Sequence, residues 1–304
     1  MATDQRQKEY DIYTVILNKS NIVTGTSNSV LQYKFNSSIE FKDSTVTLSA
    51  LNLYNSWFNI SAALGNNQFS YKWFNSAGVL NQTYTITFQD GYYSVNDMNE
   101  YVQSQLVSRG HYLQHTVDSN YVYHIEFITN SSYYAIQMNV YAMRTSDANY
   151  TRGVSTNTEL YPAWGWPSEY TCVQVILPST NKFYQLVGIS PGTYPTVSDE
   201  LNHSFLSTIT PQMDPVSSLM IQCSLVNQGG FSDPSDIIYS FTNNGVPFGG
   251  MIDRQVNRDM FCRIRDGIYQ SFTLKITDQN YNRVEIRDPA IVIMLNFRIP
   301  RTVM

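Results

Sequence analysis

The chain has 304 residues, enough for one large β domain or two modest ones. Its net charge is −5 and only 14% of its residues are charged, which argues against a protein whose main task is gripping nucleic acid through a basic face. Aromatics reach 14%, with 23 tyrosines, a composition suited to wet β surfaces and interfaces.

Residues 1–28 read as an N-terminal arm: polar at first, then one extended segment over Tyr10–Leu17. The charges of the arm cancel, so it lacks the basic character of a nucleic-acid-packaging tail. It reads either as a frayed end or as a strap onto a neighbouring subunit. No apolar core of a secretory signal is visible near Met1, and no apolar run is long enough to span a membrane as a helix.

Val30–Phe35 and Ser44–Leu53 read as strands, the second placing Val46, Leu48, Ala50 and Asn52 on one face and Thr45, Thr47, Ser49, Leu51 and Leu53 on the other. Tyr54–Ser61 continues as extended chain or a third strand. A hairpin follows, Phe69–Phe74 and Thr83–Phe88 around Asn75-Ser-Ala-Gly78. Ser94, with Asp97 three residues on, caps a helix with the stripe Val95, Met98, Tyr101, Val102, Gln105 and Leu106, stopped by Gly110.

Tyr121–Phe127, Tyr134–Met143 and Tyr170–Leu177 read as strands, residues 144–168 as loop, and Asn181–Val187 as a short helix ended by Gly188. Residues 189–217 are irregular. Strands resume at Ser218–Val226, Asp236–Phe241 and Met260–Ile264.

The closing pair is the clearest signal. Ser271–Thr277 alternates Phe272, Leu274 and Ile276 with polar residues, while Ala290–Phe297 is apolar on both faces for most of its length. An antiparallel sheet usually leaves one face wet, so the second face of 290–297 must meet another sheet, a loop or another subunit. Three strands from 30–61 and five from 217–299 make eight, the jelly-roll number. The expected fold is therefore all-β: a single jelly-roll β-sandwich with a large inserted β-rich domain carrying one or two helices. The expected domains are the arm at 1–28, a discontinuous jelly roll at 29–64 and 212–304, and an insertion at 65–211.

No nucleophile elbow, phosphate loop, zinc-protease helix or calcium-loop motif occurs. His111 and His115 have a four-residue spacing, but they fall after the helix has ended and share no carboxylate or cysteine pattern. His124 lies inside an alternating strand. Cys172, Cys223 and Cys262 are far apart and odd in number, so they read as free, buried thiols. The chain is read as a non-enzyme without cofactor, metal or catalytic residue. The candidate contact residues are Trp164 and Trp166, which flank Gly165 between Pro162 and Pro167; they form either an exposed platform for a sugar or partner, or a plug for the inserted domain.

Several runs together resemble the penton proteins of virophages and Maverick/Polinton-type elements, most closely a mavirus-like virophage penton. They are Asn66-Asn-Gln-Phe-Ser-Tyr71, Tyr84–Gln103 with its Phe-Gln-Asp-Gly-Tyr-Tyr-Ser, Asn181–Tyr194 with Leu-Val-Gly-Ile-Ser-Pro-Gly, Pro211–Val226 and Ile276–Asn280 with the final strand. Their order and combination carry the resemblance, over residues 44 to the end. It implies a homopentamer plugging the fivefold vertices of an icosahedral capsid, next to a double-jelly-roll major capsid protein, in virions assembled in the host cytoplasm. It also implies a host-surface receptor as a candidate partner. An alternative reading from the residues alone is a carbohydrate- or receptor-binding β-sandwich module.

Overall fold

A computed structural model describes residues 9–229, 234–243, 245–256 and 260–301. The charges Asp4, Arg6 and Lys8 of the expected arm lie outside the described residues. The chain divides into two compact units, one formed by residues up to Trp57 and from Val216 onward, the other by Phe58–Pro215.

The first unit is a sandwich of two four-membered antiparallel ladders. One runs Tyr10–Leu17, Val292–Pro300, Thr45–Tyr54, Met251–Gln255, with the two-residue strand Cys262–Arg263 also on Thr45–Tyr54. The other runs Ile237–Phe241, Leu219–Cys223, Gly267–Asp278, Val30–Phe41. Taking the eight main strands in chain order, the first pairs with the eighth, the second with the seventh, the third with the sixth and the fourth with the fifth. That nested pairing is what a long hairpin makes when it wraps into two sheets, and it defines a jelly roll. The whole chain is mainly β, with two α-helices among the described residues.

The inner faces meet through Leu17, Val46, Leu51, Leu53, Ile293, Leu295 and Phe297 on one side and Leu31, Phe41, Ile221, Phe272, Leu274 and Ile276 on the other. Phe297 lies with its ring centroid 5.7 Å from both Phe41 and Phe272, so aromatics interdigitate across the sandwich.

Three expectations change. Tyr10–Leu17, read as part of an arm, is the first strand of the roll and pairs along its length with Val292–Pro300 of the same chain. Tyr54–Ser61 contributes no strand beyond Tyr54, apart from a bridge at Ile60. The face assignment of 45–54 also fails midway. The pairing jumps from Ala50 opposite Met294 to Leu48 opposite Leu295, leaving Ser49 as an extra residue. A bulge shifts the two-residue period by one, so Leu48 and Leu51, of opposite parity, both reach the core.

The second unit holds α1 (Val95–Ser108), α2 (Phe183–Val187) and several short sheets. Its largest sheet runs Gly192–Tyr194, Gln174–Leu177, Gln68–Phe74, Leu80–Thr87. The expected cap of α1 is present: Ser94 Oγ accepts from the Asp97 N–H at 3.1 Å, and Asp97 Oδ2 accepts from the Ser94 N–H at 2.9 Å. Met98, Val102 and Leu106 bury the helix against a core that includes Phe69, Phe88, Phe127 and Phe183. Short strands also form where loop was expected, at Tyr150–Arg152, Gly192–Tyr194 and His203–Leu206.

Candidate functional site

The second unit carries a cavity of about 350 Å³ beside the C-terminal end of α1. Helix α1 ends at Ser108 with Arg109 as its C-cap, and Gly110 follows in the left-handed region at φ 72°. This turn points the Arg109 side chain inward. Its guanidinium donates to the Thr85 carbonyl at 2.8 Å and to Tyr71 Oη at 3.3 Å, and lies 5.2 Å from the centroid of the Tyr161 ring. Arg109 is buried, its Nε has no hydrogen-bond partner, and no carboxylate among the described residues pairs with it. Taking a cation out of water without an anion is costly, and the two aromatic faces of Tyr71 and Tyr161 offset only part of that cost.

Behind Arg109, Tyr71 Oη receives from the guanidinium and shares a 2.6 Å hydrogen bond with His111 Nδ1. Burial, and then the Arg109 charge, push the His111 pKa down to about 3, which keeps the ring neutral and able to accept. Burial also raises the Tyr71 pKa, so Tyr71 stays protonated. His111 stacks on Trp73 at 4.8 Å. The arrangement leaves Arg109 as the one charged member of an otherwise neutral buried group.

The Trp164-Gly-Trp166 loop forms another wall. Trp164 is only 3% exposed and donates from Nε1 to the Gly110 carbonyl at 2.7 Å. Its ring meets Trp73 edge-on at 5.5 Å. As an outward platform, therefore, Trp164 is corrected: it plugs the unit's core and also lines the cavity. Trp166 is half-buried and also lines the cavity. Two glycines clasp the loop to the 75–78 hairpin turn. A Cβ on Gly78 would sit 2.0 Å from the Trp166 carbonyl oxygen, and one on Gly165 would sit 2.5 Å from the Ser76 carbonyl oxygen. The loop is thus fixed by close backbone approach. The remaining lining includes exposed Arg152, 5.8 Å from the Trp164 ring centroid, together with Ser155, Thr158 and Tyr161. No acidic residue lines the cavity.

The other histidines are structural. His124 is buried with its pKa pushed down to about 4 by burial, while His115 pairs with Asp118 at 2.8 Å and His203 with Asp199 at 2.7 Å. Among the described residues no three His, Cys, Asp or Glu side chains gather as a metal site. Arg109, Arg152 and Tyr161 were not singled out from sequence. Nothing in the sequence marks them: Asp147 and Glu159 lie close to Arg152 and Tyr161 along the chain, and Arg109 meets that stretch only in the fold.

The jelly roll presents a different surface. On the outward face of its first sheet, Ile16 lies beside Met294, which lies beside Ala50. Ile16 is 51% exposed, and Val292, two residues before Met294 on the same face, is exposed too; Ile12 lies further along opposite Arg298, and Met251 on another strand opposite Tyr54. The outer face of 290–297, apolar in the sequence, is thus left partly open to solvent.

No family model and no curated protein matches the chain. Among solved structures it is similar to the crystal structure of selenomethionine-labelled mavirus penton protein, at 12% sequence identity and a TM-score of 0.45, covering 95% of this chain and 99% of that one.

Proposed function

We propose that the chain is a structural capsid protein without enzymatic activity, five copies of which form a ring at the fivefold vertices of an icosahedral capsid. The ring is set among a double-jelly-roll major capsid protein. The observation that carries this reading is the outer face of the first sheet around Ile16, Met294 and Val292, where apolar side chains adjoin and reach solvent. Large apolar side chains gathered on one face mark an interaction surface, whereas scattered single ones are ordinary. A closed ring needs one patch meeting a different patch on the next copy, and the sheet face supplies one of the two. The resemblance of several residue blocks to virophage-type pentons supports the same reading.

Ile16→Lys tests it. Residue 16 points outward, so the substitution should leave the urea stability within about 0.5 kcal/mol while abolishing self-association. Unchanged assembly of a folded Ile16→Lys chain would remove this face from the contact.

A further inference from the structure

The cavity beside α1 holds a buried, unpaired cation, and capsid assembly as proposed gives it no task. Three features of the lining select a ligand. First, Arg109 and Arg152 both line it and no acid does, so the ligand carries negative charge. Second, the guanidinium of Arg109 approaches from the carbonyl end of α1, where the helix contributes partial negative charge. A monoanion fits that field better than a dianionic phosphate. Third, the aromatic residues Trp166 and Tyr161 and the hydroxyl-bearing residues Ser155 and Thr158 are part of the lining. The electron-rich face of an aromatic ring attracts the C–H face of a pyranose, and the hydroxyls match its polar edge. The volume, about 350 Å³, sits at the small end of ligand pockets and suits one ring. The clasp of Gly78 and Gly165 holds Trp166 in place before any ligand arrives.

We propose that this cavity binds one carboxylated sugar ring, a sialic or uronic acid residue of an acidic glycan, with its carboxylate against Arg109 and Arg152 and its C–H face on Trp166. Arg109, buried in the wall of the cavity, supplies a fixed positive charge; Arg152, exposed at the rim, pairs with the carboxylate directly.

The test is a titration of the full chain, followed by indole fluorescence and by saturation-transfer NMR. The probes are the methyl glycoside of N-acetylneuraminic acid, methyl glucuronide, the methyl ester of each, and sodium sulfate. At least one free acid should bind with a Kd near the millimolar range, and its ester should bind about tenfold more weakly. Arg109→Gln would remove a buried hydrogen-bonding group and unfold the loop, so the esters and two peripheral variants carry the test. Trp166→Ala and Arg152→Gln should each weaken the acid about tenfold, and Arg152→Gln, at an exposed position, should do so while the chain keeps its assembly state and urea midpoint. Equal binding of acid and ester would overturn the proposal. So would sulfate competing as well as the sugar, no saturable binding of either acid, or binding unaffected by both variants.

Discussion

The two buried histidines make the second unit acid-sensitive in a calculable way. His111 and His124 have pKa values lowered by burial from 6.5 to about 3 and about 4. Above pH 6.5 both are neutral, folded or unfolded, and the lowered values have no effect on stability. Below 6.5 the unfolded chain takes up protons that the folded unit refuses, so stability falls as pH falls until the folded values are reached. The slope is about 1.4 kcal/mol per pH unit for each histidine. Between pH 7 and 5 that is about 2 kcal/mol each and about 4 kcal/mol together, a large part of the ~5–15 kcal/mol typical of a domain. Asp97, Asp118 and Asp199 stay out of this window, because they are held below their ordinary 3.8. Urea unfolding followed by indole fluorescence is the assay, since Trp73 stacks on His111 and lies 6.0 Å from His124. His124→Asn should roughly halve the pH slope, whatever it does to the stability at pH 7. Equal stability at pH 7 and 5, or an undiminished slope in His124→Asn, would refute the reasoning.

Two further outcomes follow from local geometry. Ser94→Ala removes the cap of α1 and should cost the second unit about 1 kcal/mol in urea unfolding, with the Asp97 carboxyl returning toward 3.8 by NMR titration. Burial pushes the Cys172 and Cys223 thiols up to about 12 and raises Cys262, so alkylation at pH 8 should be slow in the native chain and fast in urea. Mass spectrometry showing Cys172 or Cys223 modified at the urea rate in native protein would contradict their burial.

The parts of the fold legible in sequence are those where one periodicity rules. Ser271–Thr277 shows strict alternation and lies within the strand Gly267–Asp278, and α1 shows a stripe between a cap and a glycine and forms within a few residues of its expected bounds. The failures share a cause, which is contact with something distant in sequence. Tyr10–Leu17 has apolar residues on both parities because Val15 and Leu17 face the core while Ile12 and Ile16 face outward, so no alternation marks it as a strand. Its partner, Val292–Pro300, lies at the other end of the chain. The bulge at Ser49 is invisible because Ser-Ala-Leu fits a regular strand equally well. Trp164 and Trp166 look equivalent in a Trp-Gly-Trp loop, yet only Trp164 reaches the carbonyl that Gly110 offers. Arg109 could be placed at a helix end, but not under a cavity whose other walls begin some forty residues later.

The claim that this jelly roll is built to associate with copies of itself is tested most directly by its native mass, measured by light scattering after size exclusion across a concentration series. The account predicts a discrete species of five times the 34.8 kDa chain, lost in Ile16→Lys. A single-chain mass at every concentration, or a dimer that Ile16→Lys leaves intact, would contradict it.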